Sequence, residues 1–113
     1  KIEQTEIELT ATEFTELRTL AAMSSGGSPG AEASILKIKG TELQQTISEL
    51  FVEMLGYYAH PFFTENELGS NESIGPAYAG PVMPLYLNRR KVSIYGGSNE
   101  IQRNVISKAI LGL

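Results

Sequence analysis

The stretch Tyr95-Gly96-Gly97-Ser98-Asn99-Glu100 carries the most suggestive chemistry in this chain. Adjacent glycines let a backbone approach a ligand closely, and a helix starting just after them turns unpaired N–H groups toward whatever lies at its end. By residue type alone the stretch is either an ordinary turn into a helix or a seat for a phosphate or a dinucleotide. Just before it, Arg89, Arg90 and Lys91 form a basic cluster. That cluster either supports a helix C-terminus, where positive charge is favourable, or grips a phosphate.

Other candidates are weaker. The lone histidine, His60, stands between Ala59 and Pro61 with neither a Cys nor a Glu three residues before it, so it forms no metal motif. Glu42, Glu49 and Glu53 follow steps of 7 and 4, a spacing that brings carboxylates to one side of a helix. A di-metal bundle would also need Glu-x-x-His partners. A solvated helix face is the better account, and no metal is expected.

The chain has 113 residues, 9 basic against 13 acidic, a net charge of −4 and no cysteine. One domain at most is expected, short for an enzyme that must enclose a dinucleotide and a long substrate. The acidic balance offers no footprint for nucleic acid. Without cysteine there is no disulfide framework and no thiol nucleophile. No apolar run approaches a membrane span and no signal peptide is recognisable, so a cytoplasmic protein is expected. A start at Lys1, directly inside a helical pattern, suggests a fragment of a longer chain.

The elements that must position these residues are helical. Ile7, Ala11, Phe14, Leu17 and Ala21 recur at helical steps, which predicts an amphipathic helix over about residues 2 to 23. Ser24 to Gly30 breaks it, being rich in Ser, Gly and Pro. A second helix from about Ala31 carries Leu36, Gly40, Leu43, Ile47, Leu50 and Met54 and ends at Gly56. Gly40 within it suggests a close helix crossing, because a mid-helix glycine costs about 1 kcal/mol against Ala. Residues 57 to 84 are rich in Pro and Gly and predict one long ordered loop. A short helix is expected over Leu85 to Lys91, and a last one behind Ser98 as N-cap, with Ile101, Val105 and Ala109 on one track and Ile106 and Ile110 on the next. The expected architecture is an all-α antiparallel bundle with a long ordered loop.

Ser93 to Ile106 through Leu111-Gly112-Leu113 resembles the carboxyl-terminal signature of the acyl-CoA dehydrogenases. Ser34-Ile35-Leu36-Lys37-Ile38-Lys39-Gly40-Thr41-Glu42-Leu43-Gln44-Gln45 is similar to the second helix of that family's last domain. The resemblance runs over essentially the whole chain, and is nearest the branch of pimeloyl-CoA dehydrogenase large subunits. It implies a flavoenzyme of fatty acid metabolism that removes a proton from the α carbon and a hydride from the β carbon of an acyl-CoA, leaving a trans-2-enoyl-CoA and reduced FAD. It further implies an electron-transfer acceptor and a homo- or hetero-oligomer.

Carried over by that resemblance, Gly97, Ser98 and Glu100 are expected near FAD. Tyr95 and Gly96 are expected to border the acyl-CoA, and Arg103 to sit in a structural ion pair. The sequence departs from the family pattern in two places. Gly96 stands where many members carry the catalytic glutamate, so a base must come from an earlier helix or from a partner. The run Glu53-Met54-Leu55-Gly56-Tyr57 lacks the glutamine and one glycine of the usual contact to a neighbouring subunit's flavin. Gly96 leaves open a rival reading, a catalytically silent helical interaction domain, and a metal-binding bundle is a distant third.

Overall fold

The computed structural model describes residues 1–62 and 74–112. They form helices α1 (Ile2–Ser24), α2 (Glu32–Leu55), α3 (Val82–Arg89) and α4 (Asn99–Leu111), with 3-10 turns at Gly56–Ala59, Ala77–Ala79 and Arg90–Ser93. No strand occurs among the described residues. The fold is an all-α bundle, elongated to 57 × 25 × 24 Å.

α2 is its centre, packing against α1 on one side and against α3, the Arg90–Ser93 turn and α4 on another. The apolar core is small: Ile38, Leu43, Ala59, Ala79 and Val92. The buried polar residues are Ser34, Thr41, Ser48 and Asn99, and all but Asn99 lie on α2. Ser34, Ile38, Thr41 and Ser48 share one helical face.

α1 turns the wrong way for its sequence pattern. None of its residues is buried, and Ile7, Phe14 and Leu17 are more than half exposed. The half-buried residues are instead Thr5, Glu8, Thr12, Thr15 and Thr19, a stripe with steps of 3, 4, 3 and 4 on the opposite side of the helix. Each of those threonines donates its hydroxyl to the carbonyl four residues back, Thr12 to Glu8 O at 2.7 Å and Thr15 to Ala11 O at 2.8 Å among them. A hydroxyl satisfied within its own helix leaves its methyl free to pack, so a threonine stripe meets α2 without stranding polar groups. The Phe14/Leu17 stripe therefore stays exposed, and the threonine stripe is the face of α1 that meets α2.

Three further expectations change. Gly40 has open space where a Cβ would stand, so no close crossing accounts for it. α3 begins at Val82 instead of Leu85: Pro81 is its N-cap, and Pro84 lies in the first turn, where the missing N–H has no partner to lose. The single loop over 57 to 84 is replaced at its near end by the turn Gly56–Ala59 and at its far end by Ala77–Ala79 and α3, while 63–73 lie outside the described residues. His60 follows the first of these turns, exposed, edge-on to the Tyr57 ring at 5.6 Å.

Candidate functional site at the glycine loop

The residues singled out at the carboxyl end come together because a tight turn joins the Arg90–Ser93 segment to α4. Gly96 and Gly97 have φ of +70° and +87°, a backbone region that side chains with a Cβ seldom enter. The turn therefore needs glycine at both positions. A Cβ at Gly96 would meet nothing within 4 Å, whereas one at Gly97 would stand 2.6 Å from Gln102 Nε2. Ser98 Oγ accepts from the Ile101 amide at 3.4 Å, the one side-chain cap among the four α-helices.

Tyr95 and Glu100 are both exposed beside this turn. The Glu100 carboxyl is held below its ordinary range, chiefly by its own backbone amide and by the Ser98 hydroxyl, with Arg103 and Lys37 adding to the effect. An ionised carboxylate thus already occupies the positive end of the α4 dipole. The expectation of a free phosphate seat there is weakened, since a second anion would meet this charge. What the turn offers a ligand is an approachable backbone at Gly96, a hydroxyl at Ser98 and an acceptor at Glu100. No carboxylate or imidazole stands at Gly96 to take a proton.

Two anchors hold the turn, and the residue reading missed both. Lys37 Nζ donates to Asn99 Oδ1 at 2.7 Å and to Ser93 O at 3.2 Å. Thr41 Oγ1 lies 3.2 Å from the same Asn99 oxygen, but its one proton is shared with Ile38 O, nearer at 2.9 Å. One turn further along α2, Gln45 Nε2 reaches Ser93 Oγ at 3.3 Å and the carbonyls of Arg89 and Arg90. Lys37, Thr41 and Gln45 follow steps of four residues along α2, a spacing that places them on one side of the helix but that a solvated polar face would show equally.

The basic cluster serves the same joint. Arg90 donates to Gln45 O at 2.8 Å and Ser48 Oγ at 3.1 Å, and its guanidinium lies 4.4 Å over the Tyr86 ring. Arg89 donates to the Gln44 side chain. These contacts favour support of the helix over capture of a phosphate. Glu42 pairs with Lys39 at 3.3 Å and with Arg103 at 3.4 Å, and Glu53 pairs with Lys1. Among the described residues no group of three or more His, Cys, Asp or Glu is placed to hold a metal ion, and no helix is long and apolar enough to cross a membrane. On the other face of α2, an open cleft of about 820 Å³ lies between Ile2, Ile47, Leu50, Phe51 and Met54. It contains none of the glycine-loop residues.

Comparison with known proteins gives the family. A stretch of 29 residues is 66% identical to acyl-CoA dehydrogenase IpdE1 of Mycobacterium tuberculosis, covering 26% of this chain and 8% of that protein. The same share of this chain is 66% identical to acyl-CoA dehydrogenase IpdE1 of Mycolicibacterium smegmatis, covering 7% of it. The matched stretch is thus a small part of the length of either relative. No solved structure matches the chain. The family model for the acyl-CoA dehydrogenase C-terminal domain matches residues 1–111, so a bundle with a capped, glycine-hinged last helix belongs to the acyl-CoA dehydrogenase family, as its C-terminal domain.

Proposed function

We propose that this chain is one domain, residues 1–113, of a longer FAD-dependent acyl-CoA dehydrogenase that oxidises an acyl-CoA to a trans-2-enoyl-CoA. In that protein it contributes flavin contacts and subunit association. The observation that carries this reading is the turn Tyr95 to Glu100 in a member of the family, exposed at Tyr95, Gly96, Gly97 and Glu100, with Gly97, Ser98 and Glu100 toward the cofactor and Tyr95 and Gly96 toward the substrate. The residues fit FAD in one respect and constrain it in another. Gly96 admits close approach to its backbone, while the ionised Glu100 suits a donor such as a ring N–H or a ribose hydroxyl better than a phosphate. FAD, when bound, would supply the hydride acceptor.

This chain's own residues bind and orient. Ser98 holds the first turn of α4 in place, Glu100 offers an acceptor, and Tyr95 gives an apolar ring with a polar tip at the substrate side. Gly96 has no proton to move, and general base chemistry needs an acceptor within hydrogen-bond reach. The base therefore lies elsewhere in the full protein or in a partner, and this chain alone is inactive. An electron-transfer acceptor, a homo- or hetero-oligomer and a cytoplasmic setting belong to the same proposal. The second reading, a silent interaction domain, is favoured by Gly96 alone.

Purified full-length protein decides between them. Bound flavin seen in its visible absorption, with acyl-CoA-dependent dye reduction, is the expected result; absence of both leaves the silent domain. Ser98→Ala sharpens the flavin contact. Losing the cap costs about 1 kcal/mol whether or not a ligand binds, so FAD retention is compared with that of an equally destabilised variant on α1. Equal retention would count against the contact.

A further inference from the structure

We infer that Lys37 is a positioning residue for the glycine loop: it ties the residue before the loop to the residue after it and so sets where Tyr95, Gly96 and Gly97 stand. Its single ammonium bonds Ser93 O on one side and Asn99 Oδ1 on the other. The five residues between these posts, Ile94 to Ser98, are exposed or half-exposed. Among the described residues their recorded bonds outside α4 are the amides of Ile94 and Tyr95 to Lys91 O. Two of the five are glycines at positive φ, with no side chain to grip the rest of the fold. The loop is located by its ends.

The choice of residue supports a specific role. Asn99 opens α4, and a cation at a helix N-terminus opposes the helix dipole. A lysine placed there is tolerated because two carbonyl oxygens accept from it. Its ammonium is the nearer donor to the Asn99 oxygen, at 2.7 Å against 3.2 Å for the Thr41 hydroxyl that also faces Ile38 O. Asn99 is only 6% exposed. Loss of the ammonium leaves the Ser93 carbonyl without this donor and frees one end of the loop to shift. Only the bearing of this clasp on flavin rests on the function proposed above.

The test uses the full-length protein, with Lys37→Met, Lys37→Gln and, as a control on the α1 face, Thr15→Ala brought to the same melting temperature by choice of conditions. In Lys37→Met, exchange of the Ile101 and Gln102 amides, both held by Ser98, is expected to rise about tenfold, the size of one lost charge-assisted hydrogen bond. Release of bound FAD should accelerate by a similar factor, and the visible circular dichroism of the flavin should change, a readout that general destabilisation in the control does not move. Asn99→Ala should change exchange less in the Lys37→Met background than in the wild-type protein, because the Lys37–Asn99 bond is then already gone. Unchanged exchange in a folded Lys37→Met protein overturns the clasp. Faster exchange with unaltered flavin release and spectrum reduces Lys37 to a structural residue and overturns the positioning role. A wild-type protein that holds no flavin sinks the proposed function, yet the exchange measurement still decides the clasp. Should Lys37→Met not fold, Lys37→Gln, whose amide keeps a donor but loses the charge and some reach, takes its place with a change of roughly threefold in the same direction, and no change there is equally fatal.

Discussion

The two sides of α2 are joined to their neighbours by different means. Toward α1 the contact is a stripe of threonines whose hydroxyls bond within their own helix, with an exposed Lys1–Glu53 pair at one end. Toward the Arg90–Ser93 turn and α4 it is a set of hydrogen bonds between residues distant in sequence, made by Lys37, Gln45 and Arg90. A self-satisfied hydroxyl is indifferent to what lies across from it. A donor whose acceptor sits on another element is not, since any shift leaves a buried group unpaired. The α4 joint therefore specifies one register, whereas the α1 seam tolerates sliding and repacking, and the candidate site sits at the specified joint.

The largest expected effect tests that contrast directly. Asn99→Ala removes the common acceptor of Lys37 and Thr41 and should destabilise by about 2 kcal/mol, whereas Thr12→Val at the α1 seam should stay within about 0.5 kcal/mol. Urea unfolding of the full-length variants measures both, and equal losses would erase the distinction. Next in size is Gly40→Ala. With open space at the Cβ position and no left-handed backbone to relieve, it should stabilise by about 1 kcal/mol. A lower melting temperature would reveal another surface packed against Gly40 in the complete protein.

The outward face of α1 gives a third test. Contiguous apolar surface beyond a few hundred Å² tends to be covered by association, and burial returns roughly 25 cal/mol per Å². The isolated 113-residue chain is expected to self-associate, and Phe14→Ser with Leu17→Gln to weaken this. Light scattering over a dilution series checks it, and a monomer at every concentration would contradict the expectation. The smallest effect concerns pH. Because the Glu100 carboxyl is held below its ordinary value of 4.5, its contribution to stability is present above that value and lost as pH falls through the lower folded-state value. Solvent exposure keeps the effect slight. Glu100→Gln should flatten the acid side of a stability–pH curve, and identical curves would show that the local hydrogen bonds carry no weight.

Helix spans were readable because they rest on local rules. The pattern over residues 2 to 23 matches Ile2–Ser24, the break at Gly56 ends α2, and Ser98 caps α4 as its side-chain chemistry requires. The start of α3 is less legible: Pro84 marks the helix entrance, but the helix opens less than a turn earlier behind Pro81, because none of the first N–H groups has an intrahelical partner to lose. The turn Tyr95 to Glu100 stood out through its glycines, while the residues that anchor it did not. Lys37 and Gln45 look like surface residues until their distant acceptors are known.

What the sequence by itself determined is where the chain is helical, where it turns, and that two glycines stand at the entry into α4. Those depend on φ, on caps and on neighbours within a few residues. Only the tertiary structure decided which stripe of each helix is covered. On α1 an apolar stripe and a threonine stripe share the same helical spacing, so periodicity states that a face exists without naming its partner. The same holds for Arg90 and Lys37, whose charges suit solvent or a ligand equally well in sequence. Their role follows from acceptors 45 and 62 residues away, brought within bonding distance by packing on α2.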